Sequence, residues 1–354
     1  MLDIAAVADA TELLENCGPS LRPRWIAPRR PLSRPERNPF RAWETMPDVR
    51  IHAWRVRDVV LDATTMVLLR DGEIVRETNY LRPPNELQQL RVDPARLTRI
   101  ETNLPVLICG DAWSTNHYHF LNHTLPAIDS AITRHGTGGI VLAAHWMRPV
   151  HEQALRLLGY GGVATYRLEP GRQYEIADAE FCSYTKGAAD FANSSHIQAM
   201  HGRLAMQAPS GKGAGRRIYV SRLADKHRRA EGEAELVDAL GRRGFAIISP
   251  ADHTLTQQIE IFRAADLVVG PHGAGLANIA FCRPDTAVYD VLPEHFIDSS
   301  ILNLAIRSDL RAWIDAFPGR GEGTDHTRDW ALDVPSIMAR VDEIDPRRWF
   351  RRRK

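Results

Sequence analysis

The sequence predicts an α/β protein of two Rossmann-like domains facing a cleft, with a β-rich segment near its N-terminus. Three observations carry that expectation. From about residue 104, apolar runs of strand length alternate with amphipathic stretches of helix length, the pattern of a parallel sheet with helices on its faces. One such run, Asp266–Val269, enters the glycine-rich turn Gly270-Pro-His-Gly-Ala-Gly275, and a helical pattern starts at Leu276. Finally, Gln207-Ala-Pro-Ser-Gly-Lys-Gly-Ala-Gly215 is rich in residues that break regular structure and divides the chain. The expected organisation is an extended leader over 1–50, an α/β domain over 51–210, a Rossmann-like domain over 211–300, and helices with a basic tail over 301–354. The last helices are expected to pack back across the cleft.

The elements follow in order. Residues 18–47 are crowded with Pro and Arg and show no sustained period, which reads as an extended arm. Strand patterns come at Ile51–Val56, Val59–Asp62 and Thr65–Leu69, and Asp71-Gly72 offers a hairpin turn before Ile74–Thr78. Leu104–Cys109 is a buried strand, Asn116–Arg134 a long helix, and Gly139–Ala144 a strand. A helix at Val150–Leu158 stops at Gly159, with strands near Ala164–Leu168 and Ala179–Tyr184. In the second half Arg217–Ser221 is a strand, Glu233–Leu240 a helix and Phe245–Ser249 a strand. Thr254 and Gln257 form a capping box, after which Leu255, Ile259 and Phe262 make one apolar stripe. Thr286–Leu292 is the next strand, and Ser299–Ile306 and Ser336–Ile344 are helices.

Composition excludes several classes. The formal net charge of +1 over 354 residues gives no global field for nucleic acid, and the basic residues are not interleaved with a stacking surface. Cys17, Cys109, Cys182 and Cys282 are widely spaced and too few for a disulfide framework, which points to free thiols in a reducing compartment. The N-terminal stretch lacks a basic region ahead of an apolar one, and no apolar run reaches the roughly 20 residues that span a bilayer, so a cytoplasmic protein is expected. The tail Arg347-Arg-Trp-Phe-Arg-Arg-Arg-Lys354 would suit an anionic membrane surface, and a solvated tail is the plainer reading.

Three stretches could carry chemistry. In the loop His272-Gly273-Ala274-Gly275, with Asn278 one turn on, backbone N–H groups point out of a helix start, where a phosphate is readily held. A Gly-x-Gly turn is common, but an imidazole inside it is not needed merely to reverse the chain. The second stretch is Arg216 to Arg229, in which six Lys or Arg residues oppose one Asp and Arg222 stands just past a strand end where a guanidinium can grip a diphosphate. The third is Asn116-His-Tyr-His-Phe-Leu-Asn-His123, where His119 and His123 share a helical face. Either imidazole suits a general base near neutral pH, and at least one of the three rings is expected to cap or hydrogen-bond locally. A His-x-x-x-His pair can bind zinc, but neither the Glu of a His-Glu-x-x-His motif nor a third ligand is evident, so no metal is expected.

These stretches together resemble the inverting glycosyltransferase family 61. The resemblance rests on Asn116-His-Tyr-His-Phe120 leading to Thr124-Leu-Pro126, on Tyr219-Val-Ser-Arg222 with Arg228-Arg229 behind it, on Gly244-Phe245, and on the helix from Gln257 to Phe262. Its most specific part is Gly270-Pro-His-Gly-Ala-Gly-Leu-Ala-Asn278. It covers roughly residues 50–295 and implies a two-domain GT-B-type fold and transfer from a nucleotide sugar, commonly a uridine diphosphate sugar, to a hydroxyl. Residues 51–210 would be the acceptor side, and 211–300 would hold the donor.

Two departures matter. His123 stands where many relatives have an acidic residue, which leaves the base open between His119 and His123. The family's terminal Glu corresponds to Asp290, one methylene shorter, which the resemblance assigns to a ribose hydroxyl. The expected mechanism is inverting displacement, with Arg222, Arg228, Arg229, His272 and the N–H groups of Gly273 to Gly275 stabilising the diphosphate. No Asp-x-Asp pair is present, so a metal bridging the diphosphate by that route is not encoded and no cofactor is expected beyond the donor itself. The rivals are a nucleotide-sugar epimerase or hydrolase of the same fold, and a non-catalytic nucleotide-sugar-binding protein. Assembly of bacterial surface glycan is the setting the resemblance suggests.

Overall fold

The computed structural model describes residues 1–18, 25–26, 48–80, 82–145, 147–185, 190, 192–208, 216–324 and 326–345. Most of the expected leader, the heart of the divider at 209–215, and the basic tail lie outside the described residues. The chain is a mixed α/β protein with two compact units, Met1–Pro19 with Pro47–Leu204 and Ser20–Met46 with Ala205–Lys354.

The first unit holds a nine-stranded sheet in the order Glu73–Ile74, Val67–Arg70, Val49–Asp62, Gln173–Cys182, Val106–Ile108, Val141–Ala144, Ala164–Arg167. Ala10–Cys17 also pairs with Val49–Asp62, and Leu97–Arg99 with Gln173–Cys182. The sheet is mixed rather than parallel as expected. Pairings around Val49–Asp62 are antiparallel, and those from Gln173–Cys182 through Ala164–Arg167 are parallel. The β-rich opening and the alternating part are thus one sheet, joined where Gln173–Cys182 returns beside Val49–Asp62. The two runs expected at Ile51–Val56 and Val59–Asp62 are one strand, which passes through Asp58 at φ 52°. Ile74–Thr78 is not a strand throughout, because Arg76–Thr78 tightens into a 3₁₀ turn. Val56, Leu61, Ile108, Ala143, Ile176 and Phe181 build the core, and each large apolar side chain there contributes about 2 kcal/mol by leaving water.

The second unit holds a six-stranded parallel sheet in the order Ala246–Ile248, Arg217–Val220, Leu267–Pro271, Ala287–Pro293, Arg311–Phe317, Trp25–Ile26. Arg311–Phe317 falls in a stretch where only helices were expected. Its Trp313 and Phe317 pack in the core that helix Val334–Ile344 shares with helix Glu233–Arg242 through Ile337, Val341, Leu236 and Leu240. Strand order reverses at Arg217–Val220: the next strand of this sheet, Ala246–Ile248, lies on one side of it and Leu267–Pro271 on the other. In open α/β sheets the crevice beyond the strand ends at such a reversal is where ligands bind.

Candidate active site

In the first unit the parallel strand Val106–Ile108 ends in Cys109-Gly110-Asp111, and its loop leads to a helix that starts at Asn116. The Asn116 side chain accepts from the Tyr118 N–H and caps that helix. After one turn the backbone widens into a π segment, Phe120–Thr124, before Leu125–His135 resumes the α form. Pro126 explains the change, because it has no N–H to return to the preceding turn. The Leu121 carbonyl instead accepts from His201 Nε2 at 3.0 Å.

This widened turn carries His119 and His123 to one carboxylate. Asp111 Oδ2 lies 2.8 Å from His119 Nδ1 and 2.9 Å from His123 Nδ1. His123 is wholly buried, and its Nε2 lies 2.8 Å from Asp190 Oδ1, which also accepts from the Tyr118 hydroxyl, while Tyr80 donates to Asp190 Oδ2. Burial by itself would lower the His123 pKa, yet the Asp190 and Asp111 carboxylates outweigh it and push the value up to about 10. Burial likewise acts to raise both carboxyls, but the histidines hold Asp111 well below the usual carboxylate range, and His123 with the two tyrosines holds Asp190 at about 2. His123 is therefore an imidazolium with both N–H groups occupied. His119 is different. Its side chain is 18% exposed, and among the described residues its Nε2 has no partner.

Asp111, His119 and His123 place ligand-type atoms within 4.8 Å of one another. The third group that the sequence did not reveal is thus present as Asp111. In this structure the ring nitrogens facing Asp111 hydrogen-bond to it, so a cation would have to displace their protons.

In the second unit the strand ends at Val220 and Pro271 bring the two other stretches together. Arg222 Nη1 donates to the His272 carbonyl at 2.7 Å, Nε to Asp225 at 2.6 Å and Nη2 to the His227 carbonyl at 3.2 Å. All its donor nitrogens thus brace the loops. Glu233 fixes the start of the basic loop: it is buried and accepts from the Arg222 N–H at 2.6 Å, from Tyr219 and from Ser221, with burial raising its pKa. The glycines serve close packing. A Cβ at Gly270 would meet the Val220 carbonyl at 3.0 Å, and one at Gly273 would lie 3.3 Å from the Arg222 guanidinium. The expected helix beyond the loop is a 3₁₀ helix, Ala274–Phe281, and the Asn278 amide donates to Gln258 at 2.8 Å and to the Gly275 carbonyl.

His272 is buried, with Nδ1 2.9 Å from Asp290 Oδ2 and Nε2 3.6 Å from Asp298. Two polar atoms of this unit, Asp290 Oδ1 and Arg228 Nη1, are buried and have no hydrogen-bond partner among the described residues. Arg228 holds a left-handed backbone, φ 52°, and its guanidinium lies 4.3 Å from the Phe296 ring centroid. Burial and the Arg222 charge lower its pKa to about 10. Arg229 does not join this group, since its exposed side chain pairs with Asp329.

Sequence reasoning missed Asp111, Asp190, Tyr80, Glu233 and Phe296. Asp111 alone had a signal, a carboxylate at a strand's C-terminal end just before a helix. A family model described as Glycosyltransferase 61 matches residues 117–289, which takes in both histidines of the first unit and the Arg222 and His272 loops of the second. Among curated proteins none matches the chain.

Proposed function

The chain belongs to glycosyltransferase family 61, and on that premise we propose that it moves a sugar from a nucleoside diphosphate donor, a uridine diphosphate sugar, to a hydroxyl of a glycan acceptor with inversion. The observation that carries the reading is the contrast between the two histidines. An imidazole whose Nδ1–H is held by a buried carboxylate and whose Nε2 is open is set to accept a proton, whereas His123 already carries one on each nitrogen.

The base is His119. Its Nε2 takes the acceptor's proton as the hydroxyl oxygen attacks the anomeric carbon, and the bond from that carbon to the diphosphate breaks on the opposite face. Asp111 stabilises the imidazolium that results. The first unit serves the acceptor and the second the donor. There the diphosphate meets the open Nη1 of Arg228 and the N–H groups of the Gly273–Gly275 turn, while Arg222 keeps the turn in shape. The open Asp290 Oδ1 receives a donor hydroxyl. No metal or cofactor enters the scheme, and the setting is cytoplasmic assembly of bacterial surface glycan.

Transfer measured beside free nucleotide release and donor isomerisation tests the reading. The expected result is an inverted glycoside, lost in His119→Ala while nucleotide binding is kept. A product of retained configuration, or full turnover by His119→Ala, overturns it. The Asp111 trio favours one rival, a divalent cation seated there. Loss of activity with a chelator and its return with a divalent cation would support that rival over the proton-transfer dyad.

A further inference from the structure

We propose that a cavity in the first unit, between helix Pro149–Leu157 and the edge strand Ala164–Arg167, binds an anionic saccharide unit of the acceptor, with Arg167 as the recognising cation. This rests on the reading of the chain as a sugar-transferring enzyme and names the chemistry of its second substrate.

The cavity measures about 410 Å³ and is lined in part by His145, Met147, Glu152, Arg156, Thr165 and Arg167. That volume lies in the range of small-ligand clefts, roughly 300–1,000 Å³. The wall combines the apolar surface of Met147 with the Thr165 hydroxyl and two guanidinium groups, which suits a ring that has carbon–hydrogen faces and a polar rim. Its charges do not cancel. Arg156 lies 3.7 Å from Glu152 one helical turn away, whereas the Arg167 side chain makes no ion pair or hydrogen bond among the described residues. His145 adds no opposing charge: Nε2 is 2.6 Å from the Ala63 carbonyl, to which it donates. One positive charge is therefore left facing the cavity.

Position ties the cavity to the dyad. The strands Val106–Ile108, Val141–Ala144 and Ala164–Arg167 are parallel neighbours, so the segment after Ala144 and the end of the edge strand lie at the same sheet edge as Asp111. Two strand spacings separate the outer strand from the one that leads to Asp111, about 10 Å. His145 Nδ1 lies 3.4 Å from the Ser114 hydroxyl, which joins the cavity wall to the loop that starts at Asp111. A saccharide unit in the cavity would thus sit beside the reacting hydroxyl rather than carry it, and the acceptor would be an oligosaccharide.

Titration calorimetry on the full chain tests this with trigalacturonate, the neutral trisaccharide maltotriose, and inorganic phosphate. The expected result is binding of trigalacturonate at least about 10-fold tighter than maltotriose, weakening as salt is raised. Arg167→Gln should abolish the difference, Arg167→Lys should keep most of it, and both should bind uridine diphosphate as the wild type does. Equal binding of the two trisaccharides, no binding of either, or a preference that survives Arg167→Gln overturns the proposal. Competition by phosphate as strong as that of trigalacturonate also overturns it, since the site would then hold an anion and not a saccharide. A chain that shows the expected preference but transfers no sugar would sink the enzymatic reading and leave the cavity's ligand standing.

Discussion

His119 and His123 share one carboxylate oxygen of Asp111, at 2.8 and 2.9 Å, yet only His119 keeps a ring nitrogen that no other described residue occupies. Two imidazoles four residues apart are therefore bonded differently and suit different tasks. His123 ties Asp111 to Asp190, and His119 leaves its Nε2 unoccupied among the described residues.

Asp111→Asn and His119→Ala should each lower kcat by about 10²–10⁴, the usual worth of a positioned general base. Nucleotide affinity should stay within twofold. Steady-state kinetics alongside calorimetry check this, and a kcat within threefold of wild type in both variants would contradict the dyad.

His123 makes stability depend on alkaline pH. Its folded-state value of about 10 stands above the ordinary imidazole value of about 6.5, so its contribution is complete below about 6.5 and is lost as pH rises through 10. Melting temperatures followed from pH 6 to 11 should fall more steeply for the wild type than for His123→Asn. Parallel curves would show that the residue is not held as an imidazolium.

His151 acts in the opposite direction. It is buried, neither ring nitrogen is hydrogen-bonded among the described residues, it stacks 4.0 Å from Phe120 in the π segment, and burial with the charges of His117 and Arg148 lowers its pKa to about 3. The unfolded chain takes up a proton near pH 6.5 that the folded chain refuses until about pH 3, so stability is lost as pH falls across that window. His151→Phe should flatten this acid limb, as followed by chemical denaturation between pH 4 and 7.

Arg228→Ala should weaken uridine diphosphate binding by about 10- to 150-fold, the loss of one or two charge-assisted hydrogen bonds worth about 1.5–3 kcal/mol. Arg222→Ala should act mainly on the loops, since all its donors already have protein partners. It should lower protection of the 272–276 amides from hydrogen exchange. If Arg222→Ala removes binding while leaving that protection intact, the two roles are reversed.

Asp315 accepts from Tyr289 at 2.8 Å and from Arg340 at 3.0 Å, and fixes helix Val334–Ile344 to the parallel sheet. Arg340→Leu leaves that buried carboxylate without its cation and should cost about 3–5 kcal/mol in denaturant unfolding. Asp315→Leu combined with Arg340→Leu should recover much of the loss.

Local pattern carried much of the second unit. Arg217–Val220, Ala246–Ile248, Leu267–Pro271 and Ala287–Pro293 all fall at stretches read as strands, because short apolar runs between turn residues have few other uses in an alternating chain. The capping box at Thr254 and Gln257 forms as its spacing predicts. Arg311–Phe317 escaped because the run Ala312 to Phe317 is broken by Asp315, a charge whose partner lies 25 residues further on. In the first unit no local signal could show that Gln173–Cys182 pairs antiparallel with a strand more than 110 residues earlier.

The sequence by itself determined the types of element, the glycine-rich turn at a strand end, and a histidine pair on one helical face. These follow from the period of apolar residues and the conformational limits of Gly, Pro and Asn, which act within a few residues. The tertiary structure alone decided which histidine of that pair is left open and that, in the basic loop, Arg222 braces its neighbours while Arg228 keeps a buried nitrogen unbonded among the described residues. Both outcomes depend on burial and on partners such as Asp111, Asp190 and the His272 carbonyl, and the charge state of a buried group is set by what surrounds it in space rather than by its neighbours along the chain.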